Sequence, residues 1–435
     1  MTSFDRFERS LPELFDELAS PRVPDYFDEL LTRTAATRQR PVWAIPERWL
    51  SMSAISRRFA VAPRIPWRLG VAVALLIVAA LIAALVVGSG LSRTPAPFGP
   101  AANGAIPYVS EGDIYIGDPI TGVTRLLDAS PTEDGMPMFS PDGTRVFFAR
   151  LAAGVSPPAL ELYVVNPDGS NLTLITPTPI PDEDWHQFAW TPDSRHIAVV
   201  LADGGVDQLH LYDATRQAPP EPVRADGISN LTFRPPDGRE ILFRAAVPGS
   251  EGESTYGLFV MNADGTNRRQ VAEPNVQSDS LDLTGATYSP DGSRIFFNRW
   301  TSDASAGSEG CCQLYVMNAD GTDEHEFIPN PGTAWDGQAI VSPDGTRIAF
   351  WHNVNDGGDH GVFVISADGS GPLIETGPPI AGTAHYIWSP DSAKILMYPD
   401  VGARRPAYLL DPAGGPWTTV QWQQDGDIDW QRLAP

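Results

Sequence analysis

The sequence predicts an all-β protein, a seven-bladed β-propeller closed by N- and C-terminal strands, preceded by a short α-helical cytoplasmic segment and one transmembrane helix. Three observations predict it: two short motifs that recur along residues 105–435, a high content of turn-forming residues, and one long apolar run near the N-terminus. Of the 435 residues, 39 are Gly and 42 are Pro, which is typical of a chain that turns often and is too many for a helical bundle.

The first motif is Ser-Pro-Asp-Gly followed by Thr or Ser, Arg, and Ile or Val. Six copies, some of them variants, lie 44 to 54 residues apart. Asp favours a turn through its own backbone, and Gly accepts positive φ, so each copy is expected to reverse the chain. The aspartates of the six copies are Asp142, Asp193, Asp237, Asp291, Asp344 and Asp391.

The second motif is an alternating apolar run that ends in Asp-Gly or an equivalent turn, and it falls between copies of the first. Asp-Gly flanked by alternating apolar residues is a strong hairpin signal. Each period therefore contains two hairpins, or four strands, which is one propeller blade. The seven copies begin at Ile114, Leu162, Leu211, Leu258, Leu314, Val362 and Tyr408.

The two ends of this region predict the number of blades. The first hairpin, around Asp118, has no inner strand before it, whereas the C-terminal segment that starts at Asp427 lacks the rest of its blade. Together they complete a seventh blade and close the ring. An apolar residue precedes each turn or its C-terminal equivalent, namely Phe139, Trp190, Phe233, Tyr288, Val341, Trp388 and Trp430.

Residues 69–90 form an uncharged apolar run, long enough to cross a bilayer as a helix. Arginines flank it mainly on the N-terminal side, so we expect an uncleaved single-pass anchor with the N-terminus in the cytoplasm and the propeller outside the cell membrane. The predicted units are a cytoplasmic segment (1–68), the transmembrane helix (69–90), a linker (91–104) and the propeller (105–435). The flanking arginines are Arg57, Arg58, Arg64 and Arg68, against Arg93 on the other side.

The cytoplasmic segment predicts two short amphipathic helices, the first with a capping box at Ser10 and Glu13 and the second after Pro24. Helices of this length bury too little apolar surface to fold alone, so they need a partner or the membrane surface. The arrangement resembles anti-sigma regulators, which makes a sigma factor the candidate cytoplasmic partner. Residues 1–68 contain neither His nor Cys, which excludes the zinc-binding version. The alternative is a basic tail that touches anionic lipid.

The paired motifs resemble the PD-type, WD-like repeats of TolB-like β-propellers, and the resemblance covers about residues 105–432. It implies the propeller fold and a role as a binding platform in the bacterial envelope, where the partner is a protein or an envelope polymer. Related blades also occur in enzymes, so the fold leaves the function open.

Several kinds of chemistry are excluded by the sequence. The formal net charge of −24 argues against a nucleic-acid partner. No Gly-x-Ser-x-Gly or His-Glu-x-x-His pattern occurs, and the loop with Asn355, Asp356 and Asp359 lacks EF-hand spacing. The adjacent Cys311 and Cys312 fit neither a disulfide framework nor a multi-cysteine zinc site. We therefore predict no catalytic residue, no metal site and no cofactor.

The candidate site is the central funnel, where the inner strands of the blades begin. Five of the seven residues that lie three positions before each marker residue are polar, and His186, Asp134 and Asp336 lie close by. A plain water-filled funnel is the alternative to a ligand site. We expect an extracytoplasmic binding or sensor protein, with a polysaccharide lyase or hydrolase working in the funnel as the second hypothesis. The predicted ligand-binding residues are His186, Gln187, Asn230, Gln338, His385 and Asp427.

Overall fold

A computed structural model describes the propeller and the segment just before it. The predicted cytoplasmic helices and the predicted transmembrane helix lie outside the described residues, as does the loop with Asn355. No helix in the described part of the chain is long and apolar enough to cross a membrane. The described residues are 94–183, 185–203, 206–247, 256–272, 286–301, 311–328, 335–353, 361–378, 384–399, 405–424 and 426–434.

The strands form seven antiparallel sheets around a ring, as the repeats predict, together with one short two-stranded pair. Within each sheet the strands follow chain order from the inside outward. Blade 1 contains β2 (Ile106–Ser110), β3 (Asp113–Gly117) and β4 (Thr124–Asp128). Blade 2 contains β5 (Asp134–Phe139), β6 (Val146–Leu151), β7 (Ala159–Val165) and β8 (Thr173–Leu174), with β9 (Ile180–Pro181) also paired to β7.

The other five blades have four strands each in the described residues. Blade 3 contains β10 (Trp185–Trp190), β11 (His196–Asp203), β12 (Val206–Asp213) and β13 (Glu221–Asp226), and blade 4 contains β14 (Ser229–Phe233), β15 (Glu240–Ala246), β16 (Tyr256–Asn262) and β17 (Arg269–Ala272). Blade 5 contains β18 (Ala286–Tyr288), β19 (Arg294–Thr301), β20 (Cys311–Asn318) and β21 (His325–Glu326). Blade 6 contains β22 (Trp335–Val341), β23 (Arg347–Asn353), β24 (Gly361–Ser366) and β25 (Ile374–Glu375), and blade 7 contains β26 (Ala384–Trp388), β27 (Ile395–Pro399), β28 (Arg405–Leu410) and β29 (Thr418–Gln424).

The C-terminal segment closes the ring against blade 1. Ile428 forms an antiparallel bridge with Tyr108 of β2, which gives blade 1 its missing inner strand. Farther along, β30 (Arg432–Leu433) pairs with β1 (Ala102–Asn103). Strand β1 lies within the range that the sequence assigned to the linker, so pairing begins at Ala102 rather than at residue 105. The predicted closure by both termini is confirmed.

Seven separate apolar clusters make up the core, and each lies between two adjacent blades. The cluster that joins blade 7 to blade 1 contains Leu396 and Trp422 from one side, Ile106 from the other, and Ile428 and Trp430 from the closing segment. Because every blade buries both of its faces against neighbours, the core is a closed ring.

The Ser-Pro-Asp-Gly turn is held by its own side chains. The Ser140 hydroxyl donates to Asp142 Oδ1 at 2.6 Å, and the backbone N–H of Thr144 donates to the same oxygen at 3.0 Å. Gly143 has a φ of 69°, and a Cβ placed there would lie 2.1 Å from the carbonyl oxygen of Arg432 in the closing segment. Glycine is therefore required both by the turn and by the contact.

The marker residues before the turns are buried, and three of them, all tryptophans, hydrogen-bond to backbone carbonyls outside their own strand. All seven are buried, with 5 to 8% of their surface exposed. The indole Nε1 of Trp190 donates to the Met138 carbonyl at 3.2 Å, and that of Trp388 donates to the Ile340 carbonyl at 3.0 Å. In the closing segment, Trp430 donates in the same way to Gly104 at 3.2 Å. The first two bonds satisfy inner-strand carbonyls of the preceding blade, and the third satisfies a carbonyl of the linker.

Replacing Trp190 with Phe should lower the free energy of unfolding by about 1–2 kcal/mol, because the Met138 carbonyl loses its donor while the aromatic packing is largely kept. Urea unfolding followed by circular dichroism measures this difference. Trp417→Phe is the matched control, since Trp417 is 43% exposed. Equal stabilities for the two variants would contradict the assigned role of the indole bond.

Candidate functional site

A cavity of about 490 Å³ lies along the inner strands of blades 2, 3 and 4 and against the closing segment. This volume is within the range of small-molecule sites in proteins, about 300–1,000 Å³. Most of its lining is apolar, including Phe98, Met138, Phe188, Trp190, Leu231, Phe233, Ile387, Tyr398 and Ile428. Its polar side chains are Gln187, Asn230, Thr232, Asp427 and Asp429.

The inner strands that form the cavity wall are bulged. The register of β5 shifts between Gly135 and Met138, and that of β14 shifts between Ser229 and Thr232. Inside these bulges Met136 and Asn230 have φ values of 56° and 51°, and Gln338 has 47° in the equivalent bulge of β22. Such backbone costs about 1–3 kcal/mol for a non-glycine residue and is often found at functional sites. Met136, Asn230 and Gln338 each lie three positions before a marker residue. Three of the seven funnel positions that the sequence predicts therefore have a left-handed backbone conformation.

Gln187 lies on the cavity wall, but its amide already has two partners. Its Nε2 donates to the Leu231 carbonyl at 3.1 Å, and its Oε1 accepts from the Leu231 N–H at 2.7 Å. Leu231 lies in the β14 bulge, where ladder hydrogen bonds are interrupted. The Gln187 side chain thus replaces a missing ladder pair and joins blade 3 to blade 4.

The other predicted ligand-binding residues are separated by the structure. Asn230 and Asp427 line the cavity with Gln187, whereas Gln338 and His385 are absent from its described lining. Gln338 Oε1 accepts from Trp351 Nε1 at 3.0 Å, and the His385 ring lies 5.3 Å from that of Tyr398. The side chain of His186 lies outside the described residues. The predicted set therefore contributes three members to one cavity.

Asp429 is a cavity residue that the sequence reasoning missed. Its Oδ2 accepts a hydrogen bond from the Phe139 N–H at 2.8 Å, across the boundary between the closing segment and blade 2. Burial raises the pKa of Asp429 to about 6, although the hydrogen bonds from the Trp430 and Phe139 backbone oppose this shift. The signal was available, since residues two apart on an extended strand share a face and Asp427 was already a candidate.

Phe98, in the predicted linker, was also missed. Its ring lines the cavity and packs against the apolar cluster between blades 3 and 4. The segment around it is held from the closing strand, because the Arg432 guanidinium donates to the carbonyls of Ala96, at 3.2 Å, and Gly99. Ala101 N–H donates to the Pro390 carbonyl at 2.9 Å. A single aromatic residue in a Pro-, Ala- and Gly-rich stretch was the available signal.

Two buried aspartates near the start of inner strands bond to side chains of the neighbouring strand. Asp134 begins β5 and accepts from Arg150 Nε at 2.6 Å, and Asp336, in β22, lies 2.7 Å from His352 Nδ1. Both carboxylates pair with the second strand of their own blade. They join adjacent strands in blades 2 and 6 and are separate from the described lining of the cavity.

The described residues bring no three His, Cys, Asp or Glu side chains together in a way that could hold a metal ion. Cys311 and Cys312 are the first two residues of β20. Their side chains lie outside the description.

Comparison with known proteins agrees with this geometry. No model of a known protein family matches the chain. An oligogalacturonate lyase from Vibrio parahaemolyticus is 11% identical, with 75% of this chain and 85% of that chain covered and a TM-score of 0.51. A prolyl endopeptidase structure is 13% identical, with 77% of this chain and 50% of that chain covered and a TM-score of 0.52. The chain has the seven-bladed propeller fold.

TolB from Acinetobacter baumannii is also among the similar structures, at 17% identity, with 75% of this chain and 81% of that chain covered and a TM-score of 0.47. The seven sheets of the structure confirm the propeller fold that the repeats predict. At these identities the comparisons carry no function, because similar propellers serve both binding proteins and enzymes.

The raised pKa of Asp429 predicts a pH dependence of stability. Because the folded state binds this proton more tightly than the unfolded state, the contribution is present at low pH and is lost as the pH rises through about 6. Between pH 5 and pH 7 the free energy of unfolding should fall by about 1 kcal/mol from this group. Asp429→Asn keeps an acceptor for the Phe139 N–H but carries no titrating group. In this variant the fall in the free energy of unfolding between pH 5 and pH 7 should be smaller by about 1 kcal/mol.

Chemical denaturation at pH 5 and pH 7 measures this change in the free energy of unfolding for the parent chain and for the variant. Asp323→Asn is the control, because the Asp323 side chain is 76% exposed. An unchanged slope in Asp429→Asn would contradict the assigned burial of this carboxyl group.

Proposed function

We propose that this chain is a membrane-anchored extracytoplasmic binding or sensor protein whose propeller recognises an envelope ligand or protein partner and is coupled to a cytoplasmic partner. The observation that carries the proposal is the cavity of about 490 Å³ along the inner strands. A largely apolar wall with a few converging polar groups is typical of sites that bind by shape and hydrogen bonding.

The linker supports a sensing role. Phe98 forms part of the cavity wall, and the chain that leads from it toward the N-terminus enters the predicted transmembrane helix. A ligand in the cavity would therefore touch the segment nearest to the membrane. Through this contact, ligand binding in the cavity would change the linker that joins the propeller to the predicted anchor.

The cytoplasmic half of the proposal rests on the sequence alone. The amphipathic pattern of residues 1–68 supports docking to a partner inside the cell, with a sigma factor as the candidate. The exported residues hold most of the acidic side chains, whereas residues 1–68 carry a small excess of arginine. That asymmetry supports the proposed orientation.

A second candidate function is hydrolysis of an uncharged glycan. Asp427 and Asp429 line one cavity, and burial raises the pKa of Asp429 to about 6, as expected of an acid that works beside an ionised partner. Both hydrogen bonds that Asp429 accepts from the backbone favour a structural role instead. A lyase acting on an acidic polymer is less favoured, because two carboxylates and a net charge of −24 repel a polyanion.

The binding proposal is tested by filling the cavity. Thr232→Trp should abolish retention of a small envelope molecule by the purified full-length chain, because the indole occupies the space in which that molecule would lie. Native mass spectrometry of protein purified from its own membrane measures retention. Leu172→Trp, at a residue 43% exposed, is the control. A parent chain that retains nothing, or a Thr232→Trp variant that retains as much as the parent, would contradict the proposal.

The enzyme candidate is tested by turnover of neutral oligosaccharides. We expect the parent chain to release no reducing ends, since the cavity is proposed to bind rather than to react. Hydrolysis by the parent that is lost in both Asp427→Asn and Asp429→Asn, with the folded state retained in circular dichroism, would overturn the binding reading in favour of the second candidate.

A further inference from the structure

The charge of the cavity wall has one sign. Of the side chains that line it in the described part of the chain, Asp427 and Asp429 are the charged ones, and Lys, Arg and His are absent. These two residues lie two apart in the closing segment, and both line the cavity from that side. Negative potential is therefore concentrated at one side of the cavity.

The surroundings of Asp429 only partly compensate its charge. Asp429 accepts from the Phe139 N–H at 2.8 Å, and its charge also interacts with that of Arg432, yet burial still raises its pKa to about 6. The Arg432 guanidinium donates to the Ala96 and Gly99 carbonyls, and Arg432 is absent from the described lining of the cavity. A positive group placed in the cavity would stabilise the ionised form of Asp429, whereas an anion would meet repulsion.

The apolar residues of the cavity wall determine which kind of group the rest of the ligand can be. Leu231, Phe233 and Ile428 present aliphatic and aromatic surface, which stabilises an apolar group by burial. Phe98 adds a ring from the linker, and aromatic rings also attract cations. A strongly hydrated or polyanionic molecule would lose water here without gaining equivalent partners.

We propose that the cavity selects a compact organic amine, with the protonated nitrogen toward Asp427 and Asp429 and an apolar body against Phe98 and its neighbours. This inference rests on the proposed function, since it names the ligand class of the same site. Phe98 is then a binding residue that the linker supplies. A bound amine would contact the propeller and the linker together.

The experiment uses three probes that share an apolar body and differ in charge: 4-phenylbutylamine, 4-phenylbutanol and 4-phenylbutyrate. Calorimetric titration of the detergent-purified full chain at pH 7.5 should show the amine binding about tenfold more tightly than the alcohol, with the carboxylate not bound. In Asp427→Asn this preference should be lost. Asp323→Asn, at an exposed aspartate, should keep it.

Two further measurements separate charge from packing. Phe98→Ala should weaken the binding of the amine and of the alcohol by the same factor, since the substitution removes an apolar contact that both probes make. At pH 5 the amine should bind more weakly than at pH 7.5 while the alcohol is unchanged, because the Asp429 carboxyl group gains its proton near pH 6. Thr232→Trp should block every probe, which corrects for partition into detergent.

The ligand class is overturned if the carboxylate binds as tightly as the amine, if Asp427→Asn keeps the preference, or if no probe binds the parent chain. Equal binding of amine and alcohol that Thr232→Trp still blocks would remove the amine specificity and leave the binding function intact. Failure of the binding function itself is read separately, from the absence of a retained molecule in native mass spectrometry.

Discussion

Closure of the ring by the C-terminal segment is the interaction on which the rest of the structure depends. Strand β30 pairs with β1, Ile428 bridges to Tyr108, and Trp430 donates to the Gly104 carbonyl. Without these contacts blade 1 would lack its inner strand, and the apolar cluster between blades 7 and 1 would lose Ile428 and Trp430. The other six interfaces repeat one pattern of packing, whereas this interface joins residues more than 300 positions apart.

The same segment builds the cavity. Asp427 and Asp429 lie beside the residues that close the ring, and Arg432 of β30 holds the linker that brings Phe98 to the wall. Both ends of the propeller chain therefore meet at the candidate site. A change in the cavity is coupled to the stability of the closure, since Asp429 serves both through its hydrogen bond with Phe139.

The repeats were enough to predict the blades, their number and the closure, because Asp-Gly turns and alternating apolar residues act locally and recur with a fixed period. The cavity was predicted only in part. Gln187 was identified as a polar funnel residue, but its amide is committed to the Leu231 backbone, which depends on a bulge in a different blade. Phe98 lies on the wall because of contacts with distant blades, and its position as a lone aromatic residue in the linker does not indicate which blades it meets.

Hydrogen exchange of the purified chain, read by mass spectrometry, tests the closure most directly. Peptides that span residues 101–110 and 427–434 contain the bonds from Ala101 to Pro390, from Gly104 to Gln431 and from Gln431 to Ala105. A closed ring predicts that their protected amides exchange as slowly as those of strand β6 in the middle of blade 2. Exchange of both peptides at the rate of the exposed turns, while β6 stays protected, would show an open ring and contradict the structure proposed for the site.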